Sequence, residues 1–336
     1  MRCFVTLAAA VLAVGGLGCG GPAPGPPPAT DPAAAAARGR LVVAAIPKST
    51  GGEFWETVER GAVQAARDLD VELRWEGTLT ETEIAEQNKI IENMVAVGVD
   101  GMAVAPLNNR AQRKAVESAA AGGIPVVIFD SDVDGQSHVS FVATDNRAGG
   151  RLAAERMAAR LGASRRAVIL RFVQGTASTE NRAEGFMAAA RELGIDVVAD
   201  PYPEDGTVAG CKKTAANALE GFVRDNRLEV DGIFACNLIA ALALESTLDD
   251  LRKSGVAVNL CAIGFDSSPK LVEALRSGDL DALVVQNPSR MGYLAVETLV
   301  KHLRGEPIEA RIDTGVQLVT LERLNAEPEI RALVGP

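Results

Sequence analysis

Six polar side chains stand where short apolar runs end. Lys48 follows residues 41–46, Asp130 follows 124–129, Asn237 follows 232–235, Asp266 follows 262–265 and Gln286 follows 282–285, while Arg182 stands a short loop beyond 167–173. Two cations, two carboxylates and two amides form a set of directional donors and acceptors, suited to holding a small polar molecule. The usual catalytic machinery is missing. In the body from residue 40 onward there is no GxSxG elbow, no GxGxxG and no GxxxxGK[ST], the glycine signatures that expose a nucleophile or cradle phosphates. The two histidines, His138 in a polar loop and His302 on a surface-type helix, read as solvated residues rather than bases.

Positioning six such groups together needs strands that end side by side. The runs are mostly β-branched and continuously apolar, as in parallel strands buried on both faces, and open parallel sheets hold ligands in the crevice beyond the strands' carboxyl ends. After 41–46 the pattern passes through helix 53–69, strand 72–75, helix 82–97, strand 101–105, helix 110–121 and strands 124–129 and 139–142. Thr144-Asp145-Asn146 then offers capping side chains to a helix over 147–161. A second unit continues with strand 167–173, helix 180–193, strand 195–199, helix 208–225, strand 232–235, helix 239–254, strand 258–263, helix 269–276 and strand 281–285. Tandem units of this kind predict an α/β protein with two doubly wound parallel-sheet lobes.

Composition narrows the partners. The formal charge is −10 and no Lys/Arg-rich stripe occurs, so the attraction that nucleic acid binding needs is lacking and no nucleic acid partner is expected. At the N-terminus, Arg2, an apolar stretch at 4–14 and Gly16-Leu17-Gly18-Cys19 form a signal-peptide pattern, too short for a spanning helix of about 20 apolar residues. Its end resembles the lipobox of bacterial lipoproteins, in which Cys19 becomes the lipidated first residue. Residues 1–18 are then signal peptide, and the Pro/Ala/Gly-rich 19–39 an extended tether. In the body, Cys211, Cys236 and Cys261 have no metal-ligand spacing. Cys236 and Cys261 read as small buried hydrophobes, with a disulfide left open. Neither metal nor cofactor is expected.

Seven segments carry a resemblance: IPKSTGGEFW at 46–55, IPVVIFDSD at 124–132, ATDNRAGG at 143–150, ENRAEGF at 180–186, FACN at 234–237, AIGFDSSP at 262–269 and VVQNPSRMGYLA at 284–295. In this order and spacing, over residues 41–320, the chain resembles the periplasmic sugar-binding proteins of ABC importers, of the ribose-binding type. The resemblance implies two lobes joined by a three-strand hinge near 144, 286 and 315, with a sugar in the interlobe cleft. The N-terminal lobe takes 40–144 and 287–315, the C-terminal lobe 145–286 and 316–336. A sugar offers apolar C–H faces and a rim of hydroxyls. The resemblance therefore implies Phe54 and Trp55 as aromatic plates, Asp130 accepting from two adjacent hydroxyls and Arg182 as a fork for sugar oxygens. Asn237, Asp266 and Gln286 match the family's amide, acid and amide, and Phe265 packs on the ring or fills the core. Ser131-Asp132 stand where ribose binders carry an Arg, with Ser131 kept in the expected ligand-binding set, Gly51-Gly52 replace a ligand-contacting Asn, and Leu238-Ile239 replace a polar pair.

The IPK start and the DSD after the fourth strand also resemble the autoinducer-2-binding proteins, which carries ligand contact onto Lys48 and Asp130. The expected protein is therefore a non-enzymatic, monomeric lipoprotein of the periplasm or cell surface, touching the membrane only through its anchor. It binds a monosaccharide or polyol and delivers it to an ABC permease. The alternative is a sensor for an autoinducer-2-type or other ligand, presenting its closed form to a chemoreceptor or sensor kinase.

Overall fold

The computed structural model describes residues 39–162 and 165–335; the expected signal peptide, Cys19 and nearly all of the tether lie outside the described residues. The first unit runs β1 (Val42–Ile46), α1 (Glu53–Asp68), β2 (Glu72–Trp75), α2 (Ile84–Val97), β3 (Gly101–Val104), α3 (Arg113–Ala121), β4 (Val126–Phe129) and β5 (Ser140–Ala143). The second runs α4 (Asn146–Arg160), β6 (Arg166–Leu170), α5 (Ala177–Leu193), β7 (Asp196–Ala199), α6 (Val208–Glu220), β8 (Val223–Arg224), β9 (Arg227–Leu228), β10 (Gly232–Ala235), α7 (Leu238–Lys253), β11 (Cys261–Phe265), α8 (Pro269–Ser277) and β12 (Ala282–Gln286). The chain ends with α9 (Pro288–Leu303), β13 (Arg311–Asp313), β14 (Val316–Val319), α10 (Leu321–Ala326) and α11 (Pro328–Val334).

Two six-stranded sheets result, ordered β13-β5-β4-β3-β1-β2 and β14-β12-β11-β10-β6-β7. Their central strands β3, β4, β10, β11 and β12 are buried at every residue, which is why the sequence shows them as unbroken apolar runs. In both sheets the strand order reverses beside the first strand, between β1 and β3 and between β6 and β10. Such a reversal opens a crevice at the carboxyl ends. The first sheet is wholly parallel, whereas β14 joins the second antiparallel to β12. Only Thr314 and Gly315 separate β13 from β14, which forms an antiparallel edge on an otherwise parallel second sheet.

The chain passes between the sheets three times, after β5, after β12 and between β13 and β14. Helix α9 returns to the first sheet, where Met291, Ala295, Val296 and Leu299 share a core with Val58, Ala62 and Ala65 of α1. In the second unit α4 and α5 touch backbone to backbone. A Cβ on Gly150 would lie 1.9 Å from the Arg182 carbonyl oxygen, and one on Gly185 2.2 Å from that of Arg147.

Several boundaries differ from the expected ones for local reasons. Helix α2 starts at Ile84 because the Glu83 carboxylate accepts from Leu79 and Thr80 N–H and closes the preceding loop. Asn108 does the same for Arg110 and Ala111, delaying α3 to Arg113. Helix α6 ends at Glu220, since Asp225 and Asn226, at φ 47° and 57°, turn the β8–β9 hairpin. The strand expected at 258–263 forms instead at Cys261–Phe265.

Candidate functional site

The carboxyl ends of the two sheets face a common cleft with about 510 Å³ of atom-free space, open solvent included. Lys48, Phe54, Trp55, Glu81 and Asp130 line it from the first unit, and Ser178, Thr179, Arg182, Asn237, Asp266 and Gln286 from the second. Asp130 directly follows β4 and Asp266 directly follows β11, and both adopt the left-handed region, at φ 61° and 70°. Asp tolerates this conformation better than most residues, and strain of this kind concentrates where a side chain must be aimed.

Two buried ion pairs hold the cleft's charges. Lys48 Nζ lies 2.6 Å from Asp130 Oδ2 and donates to Ser178 Oγ at 3.1 Å. Arg182 is fixed from four sides. Its Nε donates to Asn146 Oδ1 (2.8 Å), Nη1 to the Cys236 carbonyl (3.0 Å), the guanidinium lies 3.8 Å from the Phe265 ring centroid, and Asp266 Oδ2 is 3.9 Å away. Asp266 also accepts from Gln286 Nε2 (2.8 Å) and from Leu238 N–H (3.1 Å) at the start of α7. Burial nevertheless raises the Asp266 carboxyl above its ordinary value, with Arg182 and the Gln286 hydrogen bond pulling the other way.

An aromatic wall closes one side. Phe54 and Trp55 meet edge to face at 5.0 Å between centroids, and Trp55 packs in the same manner on Phe129 at 6.3 Å. Trp55 Nε1 donates to Glu81 Oε1 at 2.8 Å. Burial raises the Glu81 carboxyl; the Lys48 charge and the Trp55 hydrogen bond counteract it.

Eight of the ten expected ligand-binding residues reach the cleft lining: Lys48, Phe54, Trp55, Asp130, Arg182, Asn237, Asp266 and Gln286. Arg182 sits within α5, in the helix expected over 180–193, which starts three residues earlier at Ala177. Asn237 caps α7, its Oδ1 accepting from Ala240 N–H. Phe265 is fully buried beneath the Arg182 guanidinium and does not line the cavity. Ser131 also stands outside the lining; its hydroxyl accepts from Ser178 N–H at 3.0 Å, tying the two units together. Sequence reading missed Glu81, Ser178 and Thr179. None follows an apolar run: Glu81 lies in the loop after edge strand β2, and the other two begin α5.

The units also touch at the rim and at the crossings. Thr176 Oγ1 donates to the Leu107 carbonyl, and Asn109 N–H to that of Gly175. At the crossings Thr144 Oγ1 donates to Gln286 Oε1 at 2.8 Å and lies 3.1 Å from Thr314 Oγ1.

Known proteins resemble this chain in sequence or in structure. The D-ribose/D-allose-binding protein of Pseudomonas aeruginosa is 29% identical over 290 residues, covering 83% of this chain and 88% of its own. A carbohydrate transporter solute-binding protein of Agrobacterium radiobacter, solved with D-arabinose, superimposes with a TM-score of 0.81 at 32% identity, covering 88% of this chain and 99% of its own. An ABC transporter solute-binding protein of Agrobacterium vitis with bound D-fucose gives 0.81 at 31% identity, over 88% and 100%. The family described as periplasmic binding protein domain matches residues 43–307, and this chain belongs to it.

Proposed function

We propose that this protein captures a monosaccharide or small polyol between its two lobes and delivers it to an ABC permease. What carries the reading is the pair of aspartates, Asp130 and Asp266, held in the same backbone conformation at strand ends of opposite sheets and facing one cleft beside an aromatic wall. Carboxylates accept from ring hydroxyls and aromatic faces cover C–H surfaces, so the lining complements a polyol. The ligands of the relatives, D-ribose or D-allose, D-arabinose and D-fucose, are of this class. The ligand-contacting set is Lys48, Phe54, Trp55, Asp130, Arg182, Asn237, Asp266 and Gln286, joined by Glu81. The crossings near 144, 286 and 315 act as the hinge between a lobe of 40–144 with 287–315 and a lobe of 145–286 with 316–336. Export with lipidation at Cys19 would keep the lobes near a permease, with 19–39 as tether.

Thermal unfolding against D-ribose, D-allose, D-arabinose, D-fucose and xylitol tests this. A ligand bound only by the folded chain, at about 100 times its Kd, raises the midpoint by about 3–6 °C. The shift should vanish in Asp130→Asn. A panel without any shift would refute the polyol assignment.

A further inference from the structure

The charges lining the cleft do not balance. Lys48 is matched by Asp130 and Arg182 by Asp266. Glu81, the remaining charged group of the lining, has no cation within ion-pairing distance among the described residues, and its one hydrogen bond comes from Trp55 Nε1. The amino termini of α5 and α7 also border the cavity, through Ser178, Thr179, Leu238 and Ile239. Helix starts favour anions, so by themselves they would invite an acidic ligand. At α7 that pull is already met by Asp266, which takes the Leu238 N–H. Glu81 is a third carboxyl beyond the two that Lys48 and Arg182 pair with.

We propose that Glu81 is a ligand-contacting specificity residue whose surplus negative charge makes the cleft accept neutral polyols and reject the corresponding sugar acids. The inference rests on the polyol reading above and narrows it to uncharged ligands. A carboxylate accepts from any hydroxyl placed against it, so a neutral ring satisfies Glu81. A ligand carboxylate in the same cavity brings a second unmatched anion while both cations are engaged, and like charges out of water repel strongly. The position of Glu81 against Trp55 puts this filter beside the aromatic wall, where the sugar ring is expected to lie.

Glu81→Gln separates charge from structure, because the glutamine oxygen still accepts from Trp55 Nε1. Isothermal titration of the wild-type and E81Q proteins would use D-ribose, D-allose, D-arabinose, D-fucose and xylitol, each beside its aldonic acid. Wild type should bind the neutral member at least about 100-fold tighter than the acid, and E81Q should narrow that ratio about tenfold or more, with an unliganded unfolding midpoint no lower than wild type. A ratio unchanged in E81Q, or acids bound by wild type as tightly as neutral sugars, would overturn the proposal and leave the polyol reading standing. If no compound of either set binds either protein, the polyol reading falls and this inference with it.

Discussion

Asp130 and Asp266 show how a residue at a strand end comes to line a cleft: each leaves its strand in the left-handed region, at a cost of about 1–3 kcal/mol, and borders the same cavity. Asp130 is matched to Lys48 with both side chains almost fully buried, so each depends on the other. Asp130→Asn or Lys48→Met alone should lower unfolding free energy by about 3–5 kcal/mol in urea, and the double variant should recover most of that loss. Additive losses would show that the pair is not coupled. Glu81 and Asp266 have carboxyls raised by burial; Lys48, Asp130 and Asp266 are the charged groups acting on Glu81, and Arg182 and Asp130 those acting on Asp266. A carboxyl with a higher pKa folded than unfolded binds more protons in the folded chain. Its stabilising contribution is therefore complete below the unfolded value and lost as pH rises through the folded one. The E81Q/D266N double variant should gain stability relative to wild type as pH rises above the ordinary carboxylate range, and a difference that stays flat with pH would refute the assignment. The strand-end residues were legible because an apolar run stopping at a polar group leaves a mark in one dimension. Glu81 was not, since a loop acid just before a helix looks like an ordinary helix-start charge until Trp55 is seen to meet it.

At the scale of elements, position follows from close packing. Arg182 can reach Asn146 and the Cys236 carbonyl because α4 and α5 cross with Gly150 and Gly185 against each other's backbone. Gly150→Ala places a methyl group 1.9 Å from the Arg182 carbonyl oxygen, so the helices must separate. A loss of about 1–3 kcal/mol in stability is expected, with ligand affinity reduced as well because Arg182 moves with α5. Unchanged affinity in a destabilised G150A protein would separate the helix crossing from the site. Buried parallel strands were legible from their apolar runs, and most helices from their period. What escaped were elements defined by contacts made far along the chain. Strands β13 and β14 have only short, half-exposed stretches of their own, and each is fixed by a partner, β5 or β12, distant in sequence.

At the scale of the whole molecule, binding is a question of which contacts join two sheets. Thr144, Gln286 and Thr314 form a buried hydrogen-bonded cluster where the chain crosses, and Lys48, Leu107, Asn109 and Ser131 meet residues 175–178 at the rim. In the proposed hinge motion these rim bonds would favour the closed arrangement and add to what a ligand supplies. Ser178→Ala removes the acceptor that Lys48 uses across the cleft, and should weaken ligand binding about three- to tenfold while leaving the fold intact. Small-angle scattering should then show a larger unliganded radius of gyration than wild type; equal radii and equal affinity would show that this bond does not govern closure. The most direct measurement of all is calorimetric titration of the wild-type protein and Asp266→Asn with the sugar giving the largest thermal shift. Asparagine keeps the left-handed backbone but loses the charge that Gln286, Arg182 and α7 surround. One sugar bound per chain, with affinity at least about tenfold weaker in the variant, is the expected result. Undiminished binding in Asp266→Asn would contradict a cleft that works through both sheets.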